Sequence, residues 1–342
     1  MHKNWIRALI WGILLPGTVI SAFYQGTKTK SAPVTEVTPV TADICQKTVW
    51  GNTESVGPDR SDSLTAVRVL QENGSSEDMP LDDYLTGVLL GELPPEFEEE
   101  TKKALAVAAR TLTVRQMEHG GKHPDADVCT CSSCCQAYCS PQQYLADGGS
   151  AKAVTAAKNA VRETDGQVLT YEGELIEALY FSCSGGSTED AAEVWGAEVP
   201  YLQAVESPGE EKAAHFTDSV RFTREKLSEL LGISLSGSPE SWFSEARFTR
   251  GGGIAEMKVG NTVFSGTELR HLLNLRSTAF TPIPDKDGII IVTRGFGHRV
   301  GMSQYGADAM ALEGKNYREI LAYYYPNTGI CTLSFDKNKK LG

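Results

Sequence analysis

Apolar and polar positions divide the chain into three parts with different patterns. Residues 8–23 carry no charge and are mostly apolar, whereas residues 26–60 are rich in Thr, Ser, Pro and Gly and follow no sustained periodicity. From about residue 65 onward, strand-like and helix-like patterns follow one another. We therefore predict an apolar N-terminal segment at 1–25, a linker at 26–60 and one large folded domain at 61–342.

Helical and strand-like segments occur in the third part without a regular βαβ order. The helical segments are 79–93, 98–118, 151–162, 222–232 and 302–314. The strand-like segments are 65–71, 168–173, 177–183 and 288–295, and glycine-rich turns make 244–266 a predicted hairpin. Such a mixture predicts an α+β fold with mixed, mostly antiparallel sheets and packed helices.

The apolar N-terminal segment is long enough to cross a membrane. The stretch from Trp5 to Tyr24 gives about twenty residues, which is the length that a helix needs to span a bilayer. A cleaved signal peptide is the alternative, although Ile20 would take its −3 position if Ala22 ended it. A buried core helix is a third interpretation, which the polar tract that follows disfavours. We predict an uncleaved single-pass anchor, and either of the first two interpretations places the domain outside the cytoplasm.

The overall charge narrows the choice of partner. The chain has 342 residues and a formal net charge of −12. Nucleic acids and anionic lipids are bound by basic surfaces, so this balance excludes both as the main partner. An acidic surface tolerates neutral substrates such as sugars.

Glu92 stands out because it continues the apolar stripe of its predicted helix. It follows Leu89 by three residues and Leu85 by seven, and Pro94 and Pro95 end the helix just beyond it. A carboxyl group on such a stripe is desolvated, and its pKa rises towards the range of a general acid at neutral pH. The alternative is a frayed helix end with Glu92 turned to water.

Arg110 is a second charged residue on an apolar helix surface. Its helical neighbours are Ala106, Val107 and Val114. A guanidinium group in that position needs a carboxylate or a ligand to hydrogen-bond. Both a structural ion pair and a substrate contact satisfy this requirement.

Residues 123–140 concentrate five cysteines and one histidine, although the whole chain has only eight cysteines. His123, Cys129 and Cys135 are separated by five residues each, and thiolates and imidazoles are zinc ligands. Disulfides are the alternative and are favoured outside the cytoplasm. However, five cysteines leave one unpaired, and the adjacent Cys134 and Cys135 cannot easily bridge each other. We predict one metal ion, with room for one disulfide among the other cysteines.

Two glycine-rich turns are further candidates for ligand binding. Ser184 and Gly185 follow a predicted strand, and His298 and Gln304 lie between a strand and a helix. Glycine turns bring backbone amides close to a ligand, but neither turn matches a nucleotide-binding pattern. Function and turn structure explain these residues equally well.

Four ordered stretches resemble the stage II sporulation protein D family. They are LDDYLTGVLLGELP with KALAVAARTLT, the His123-x5-Cys129-x5-Cys135-Gln136 run, SCSGGSTED with VPYLQAVESPGEE, and GFGHRVGMSQYGA. Together they cover nearly all of residues 64–332.

The resemblance implies a membrane-anchored lytic transglycosylase of endospore-forming bacteria, with its catalytic domain outside the cytoplasm. Such enzymes cleave peptidoglycan glycan strands, stripped of stem peptides by a partner amidase, while the forespore is engulfed. Other membrane proteins of the engulfment complex are further expected partners. By position in the family's motifs, Glu92 is the catalytic acid, and the zinc ligands are His123, Cys129 and Cys135. The same comparison assigns substrate binding to Arg110, Ser184, Gly185, His298 and Gln304.

The chain departs from the family's pattern in its cysteines. Cys131, Cys134, Cys139 and Cys183 exceed the usual number, so one of them could be a fourth zinc ligand or form a disulfide. Cys183 stands where a small hydroxyl residue is expected. The exact set of ligands is therefore open.

A lytic transglycosylase needs one carboxyl group, whereas most hydrolysing glycosidases need two. Glu92 alone would donate a proton to the glycosidic oxygen and then take one from the muramyl 6-hydroxyl. Zinc is then structural, although three protein ligands would leave a catalytic position open. The alternatives are a zinc-dependent peptidoglycan amidase and an inactive wall-binding scaffold.

Overall fold

The computed structural model of the chain describes residues 62–333, with the exception of His215. The predicted anchor at 1–25 and linker at 26–60 lie outside these residues, and both stay predictions together with the domain boundaries. Within residues 62–333, no helix combines the length and the apolar character needed to cross a bilayer.

The described residues form nine α-helices and two 3-10 turns. The helices, numbered α1 to α9 in chain order, are Leu81–Glu92, Glu99–His119, Pro141–Ala146, Ala151–Glu163, Ala191–Trp195, Arg224–Leu231, Gly266–Leu272, Gln304–Leu312 and Tyr317–Tyr324. The 3-10 turns are Asp62–Leu64 and Pro239–Ser241.

Fourteen strands, β1 to β14, occur in the same residues. They are Ala66–Leu70, Ser76–Pro80, Val128–Cys129, Gln167–Tyr171, Glu174–Leu175, Tyr180–Phe181, Thr217–Thr223, Phe243–Phe248, Ile254–Val259, Thr262–Ser265, Phe280–Asp285, Gly288–Arg294, Met302–Ser303 and Gly329–Thr332. They form sheets of order β2-β1-β3, β10-β9-β8, β11-β12-β7, β13-β6 and β14-β4-β5. Only β1 with β3 and β13 with β6 pair in parallel in this part of the chain.

The structure confirms the predicted α+β fold with mostly antiparallel sheets. Two local predictions were wrong in extent. The predicted hairpin at 244–266 is a three-stranded meander, because Gly260 adopts a φ of +58° and turns the chain into a third strand. Of the strand predicted at 177–183, only Tyr180–Phe181 forms a strand, since its strand partner is the two-residue β13, and Cys183 adds an isolated bridge to Phe296.

Two hydrophobic clusters support the fold. In the larger one α1 and α4 pack against α2, and Leu85, Val88 and Leu89 are buried as their spacing predicts. The smaller cluster lies within residues 222–291 and contains Trp242, whose side chain is fully buried. The larger cluster matters most here, because the last residue of α1 is Glu92.

A buried ion pair connects the glycine-rich turns to the meander. Arg299 pairs with Glu189 at 2.8 Å and donates to the carbonyl oxygen of Gly251 at 2.7 Å. It also donates to the carbonyl of Ser184 at 2.7 Å. These contacts fix the turn that carries His298 against the turn that carries Ser184 and Gly185.

Candidate active site and metal centre

Glu92 is the C-terminal residue of α1 and lies at the boundary between the core and the solvent. The helix ends there because Leu93 adopts an extended conformation, with φ −111° and ψ 139°, and Pro94 and Pro95 follow. The Glu92 side chain is half-buried, whereas Glu96 is exposed. The carboxyl group is thus desolvated and still reachable from outside.

Each carboxyl oxygen of Glu92 accepts a hydrogen bond. The backbone N–H of Ala137 donates to Oε1 at 2.7 Å, and the Gln304 amide Nε2 donates to Oε2 at 2.8 Å. Burial raises the pKa of Glu92 above its usual value, and these two hydrogen bonds oppose the rise. A group with this balance keeps a proton at higher pH than a surface glutamate and is held in one orientation.

Gln304 reaches Glu92 because of where α8 begins. Strand β13 pairs in parallel with β6, and Gln304 is the first residue of the helix that follows. The side chain is 4% exposed. A glutamine amide can present either its NH₂ group or its carbonyl oxygen. Gln304 therefore suits both the ionised and the protonated form of Glu92.

The segment that supplies the Ala137 amide lies directly on α1. Two helix glycines make this approach possible: a Cβ atom at Gly87 would come within 2.2 Å of the Tyr138 ring, and one at Gly91 within 2.8 Å of the Tyr138 nitrogen. The Cys139 N–H donates to the Gly87 carbonyl at 3.0 Å. Any larger residue at these two positions would push the segment away from Glu92.

The same segment begins with a cluster of four potential metal ligands. His123, Cys129, Cys134 and Cys135 place one ligand atom each within 4.8 Å of all the others. The Sγ atoms of Cys134 and Cys135 are 3.9 Å apart and lie 3.5 Å and 3.7 Å from His123 Nε2. In a zinc tetrahedron with bonds of about 2.0–2.3 Å, ligand atoms are separated by roughly 3.5–3.8 Å. The three separations among His123, Cys134 and Cys135 match such a tetrahedron, and three thiols with one imidazole are ligand types that suit Zn²⁺.

The structure brings together the three predicted ligands and adds Cys134. Cys131 is exposed and, like Cys139, lies outside the cluster. No disulfide joins two cysteines within residues 62–333, and Cys45 lies outside that range. The one disulfide that the prediction allowed does not form among the described cysteines.

Gln136 connects the metal cluster to the opposite wall of the site. It is 3% exposed, and its Oε1 accepts from the Tyr180 hydroxyl at 2.7 Å. Its Nε2 donates to Thr113 Oγ1 at 3.1 Å and to the Tyr84 hydroxyl at 3.3 Å. The residues on both sides of Ala137 are thus fixed, which fixes the amide that contacts Glu92.

His298 lies beside β6, half-buried between two aromatic rings. Its ring centroid is 5.5 Å from that of Phe181 and 5.9 Å from that of Trp195. Its Nδ1 accepts from the Val300 N–H at 3.2 Å. Burial, aided by the charge of Arg270, lowers the pKa of His298 to about 4. The imidazole is therefore neutral at physiological pH and is no proton donor there.

Comparison with known proteins places the chain in a family. The profile of the stage II sporulation protein family (SpoIID) matches residues 71–171. Stage II sporulation protein D of Bacillus amyloliquefaciens is 36% identical over 283 residues, which are 81% of this chain and 82% of the relative. Its counterpart in Bacillus subtilis is 36% identical over 271 residues, 78% of this chain and 79% of the relative. The chain belongs to the stage II sporulation protein D family.

The amidase enhancer of Bacillus subtilis is a more distant relative of this family member. It is 30% identical over 297 residues, which cover 71% of this chain but 40% of the enhancer. The family profile spans Glu92 and all four residues of the metal cluster, whereas Gln304 and His298 lie beyond its match. In this chain the site is thus assembled from inside and outside the matched region.

Arg110 is not at the site of this stage II sporulation protein D family member. Its side chain is fully buried and pairs with Asp62 at 2.6 Å, and it also donates to the carbonyl oxygens of Val161 and Gln167. The substrate-binding role predicted for Arg110 is therefore corrected to a structural ion pair, because no face of the guanidinium group is open to a ligand.

Ser184 and Gly185 also have a structural role. The Ser184 hydroxyl donates to Glu210 Oε1 at 2.9 Å, and the Ser184 and Gly185 amides donate to Oε2 at 2.7 Å and 3.0 Å. Ser207 completes the arrangement with a bond of 2.5 Å to Oε1. The predicted substrate contacts of Ser184 and Gly185 are corrected accordingly, since these groups already bind a buried carboxylate.

Proposed function

We propose that the chain is a peptidoglycan lytic transglycosylase that uses Glu92 as its only catalytic carboxyl group. What supports this is the setting of Glu92: half-buried, fixed at both oxygens and raised in pKa by burial. None of the groups that shift its pKa is a second carboxylate. A pair of carboxylates is what most hydrolysing glycosidases require.

In the proposed reaction Glu92 acts first as an acid and then as a base. Protonated Glu92 donates its proton to the oxygen that joins N-acetylmuramic acid to N-acetylglucosamine. The bond between this oxygen and C1 of the muramyl residue breaks, and the N-acetylglucosamine leaves with a hydroxyl group. The resulting carboxylate accepts hydrogen bonds from Ala137 and Gln304. It then takes the proton of the muramyl 6-hydroxyl, whose oxygen closes a 1,6-anhydro ring on C1. A group that alternates between these roles needs a pKa near the working pH.

We propose further that His123, Cys129, Cys134 and Cys135 hold one zinc ion with a structural role. Four protein ligands leave no open position, which is the arrangement of structural rather than catalytic sites. The ion would crosslink the segment that ends at the Ala137 amide. This argues against the zinc-dependent amidase alternative, since that chemistry needs a position for water.

The proposed setting is the membrane of a sporulating cell. Residues 1–25 would anchor the chain with its domain outside the cytoplasm, and the substrate would be glycan strands already stripped of stem peptides during engulfment. A sporulation amidase and other engulfment-complex membrane proteins are the proposed partners, and nucleic acid is not. The family name and a relative named amidase enhancer support this setting.

The decisive experiment compares Glu92→Gln with Glu96→Gln. Glu96 is an exposed carboxylate four residues further along the chain. Purified peptide-free glycan strands are digested, and their new ends are identified by mass spectrometry. The wild type and Glu96→Gln should form 1,6-anhydro ends, whereas Glu92→Gln should lose about 10³-fold or more in rate. Wild-type protein that binds the strands without cleaving them would establish the scaffold alternative. Stem peptides released from intact peptidoglycan, digested in parallel, would establish the amidase.

A further inference from the structure

Two arginine side chains of the described domain are fully buried, and Arg270 is one of its half-buried arginines. Arg110 pairs with Asp62 at 2.6 Å, and Arg299 pairs with Glu189 at 2.8 Å. Arg270 has no carboxylate within ion-pair distance among residues 62–333, and its buried Nε atom has no hydrogen-bond partner there. A half-buried guanidinium group without a counter-ion is costly unless a ligand supplies the negative charge.

Arg270 lies at the end of α7, next to the turn that carries His298. The Leu275 N–H donates to the Arg270 carbonyl at 2.8 Å, and the Gly297 N–H donates to the Arg276 carbonyl at 3.1 Å. The His298 turn is thus hydrogen-bonded to the segment that follows α7. The charge of Arg270 acts on His298, which lowers the pKa of the imidazole and keeps it neutral. The neighbouring Arg276 already pairs with Asp218 at 3.2 Å.

Trp195 borders the other side of His298. It is the last residue of α5, its side chain is 51% exposed, and its ring centroid is 5.9 Å from that of His298. Large aromatic faces that are open to solvent next to polar groups suit the apolar face of a sugar ring. The Trp195 ring, exposed and in contact with the His298 imidazole, presents such a face.

The same place is connected to the catalytic carboxyl group through β6. His298 contacts the Phe181 ring, and Phe181 pairs with Ser303, which directly precedes Gln304. Gln304 in turn contacts Glu92 at 2.8 Å. The exposed tryptophan and the His298 turn therefore lie close to β6 and to the start of α8, which carries Gln304, the residue that contacts Glu92.

We propose that Trp195 and Arg270 form a sugar subsite in which Trp195 supports an N-acetylmuramic acid ring and Arg270 binds the free carboxylate of its lactyl group. This rests on the proposed function, since it names the substrate feature that the same site would recognise. In a strand that carries stem peptides, the lactyl carboxyl group forms an amide and has no charge. Arg270 would therefore favour strands from which the peptides have been removed.

The test measures binding in the Glu92→Gln background, so that no step depends on turnover. The ligands are peptide-free glycan strands with lactyl carboxylates and the same strands after carbodiimide coupling to methylamine, which removes only the charge. Glu92→Gln should bind the acid strands about tenfold or more tightly than the methylamide strands, as expected for a charge-assisted contact. Adding Arg270→Met should abolish this preference, because it should weaken the binding of the acid strands and leave the binding of the methylamide strands unchanged.

Two further variants separate the proposed contact from general effects. Arg276→Met removes a neighbouring charge that already pairs with Asp218 at 3.2 Å, and it should leave the preference intact. Trp195→Ala should weaken both strands by the same factor. Arg270→Lys should keep part of the preference, because it retains the charge but not the planar fork.

The outcomes distinguish this inference from the function on which it rests. Equal binding of both strands with native Arg270, or a preference that survives Arg270→Met, would overturn the Arg270 assignment alone. A loss in Arg276→Met as large as that in Arg270→Met would overturn it as well, since the effect would then be general electrostatics. If Glu92→Gln bound neither strand, the proposed glycan substrate would fail, and the subsite with it.

Discussion

Glu92 is half-buried and Glu210 is fully buried, and the two carboxyl groups differ in how many hydrogen-bond donors surround them. Glu210 is 1% exposed, and its oxygens receive Ser184, Gly185 and Ser207 as donors, so every side of the carboxylate is occupied. Glu92 receives one donor at each oxygen, and the remaining side is open. Burial raises the pKa of Glu92, so this carboxyl group keeps its proton to higher pH and can act as a general acid, whereas the Glu210 carboxyl group holds two turns together.

The two sites also differ in how the donors are held. The Glu210 donors come from two turns that fold back on each other. The Ala137 donor of Glu92 belongs to a segment whose start is the metal cluster and whose neighbour is Gln136. Glu92 thus depends on the segment that carries Ala137, and this segment is itself held by the metal cluster and by Gln136. Four predictions test the comparison, beginning with that support.

The largest effect is expected from loss of a metal ligand. Cys129→Ser should lose the zinc and lower the free energy of unfolding by several kcal/mol, because metal-binding free energy is also folding free energy. Turnover should fall with it, since Ala137 follows Cys135 by two residues. Cys131→Ser, at an exposed thiol outside the cluster, is the control. Metal analysis and thermal unfolding provide the readout, and equal metal content in both variants would refute the ligand assignment.

Glu210→Gln should be a folding variant rather than a catalytic one. The amide NH₂ that it introduces would face the Ser184 and Gly185 N–H donors or the Ser207 hydroxyl, so buried donors would lose their acceptor. We expect a loss of about 3 kcal/mol in the free energy of unfolding. Urea denaturation measures it, and Glu211→Gln, an exposed neighbour, is the control. A stable but inactive Glu210→Gln protein would place Glu210 in the chemistry instead.

Gln304→Met should lower turnover by about tenfold and change its pH dependence. The Gln304 hydrogen bond lowers the pKa of Glu92, so its removal should raise that pKa further. Because the reaction begins with protonated Glu92, the decline in rate on the alkaline side should move to higher pH. Gln203→Met, at an exposed glutamine, should leave the pH–rate profile as it is. A shift to lower pH would contradict the proposed contact.

The smallest effect concerns the stability of Glu92→Gln. The folded-state pKa of Glu92 lies above its usual 4.5, so between these two values the folded chain holds a proton that the unfolded chain has released. The free energy of unfolding of the wild type should therefore fall as the pH rises through this window. Glu92→Gln lacks this decline and should be as stable as the wild type or more so at about pH 7. Unfolding curves of both proteins at several pH values would show it, with Glu96→Gln following the wild type.

Local patterns were sufficient to predict the helix that carries Glu92 and the point where it ends. The stripe of Leu85, Val88 and Leu89 and the prolines beyond it define the helix and its end, and the fold class follows from such elements along the chain. The ligand spacing likewise indicated three residues of the cluster. Cys134 was one of four candidates for a fourth ligand and could not be singled out, because adjacent side chains diverge in regular structure. Here both Cys134 and Cys135 donate their N–H groups to the Cys131 carbonyl in a tight turn.

Contacts between distant parts of the chain could not be predicted from the sequence. Ala137 acts through a backbone amide, which leaves no trace in the residue type. Arg110 and Asp62 are 48 residues apart, and Ser184 and Glu210 are 26 apart, so neither partner could be chosen from spacing. Gln136 carried a usable signal, because a polar residue directly after a predicted ligand is a candidate for fixing the ligand loop.

The central claim is that Glu92 alone catalyses closure of an intramolecular ring. The most direct test is to identify the source of the oxygen bound to C1 at the new glycan end. Peptide-free strands are cleaved by the wild-type protein in water enriched in ¹⁸O, and the new muramyl ends are analysed by mass spectrometry. The account predicts anhydro ends that are one water lighter than reducing ends and carry no ¹⁸O, because the 6-hydroxyl supplies the oxygen. Reducing ends that contain one ¹⁸O atom for each cleaved bond would contradict it, since water would then be the nucleophile.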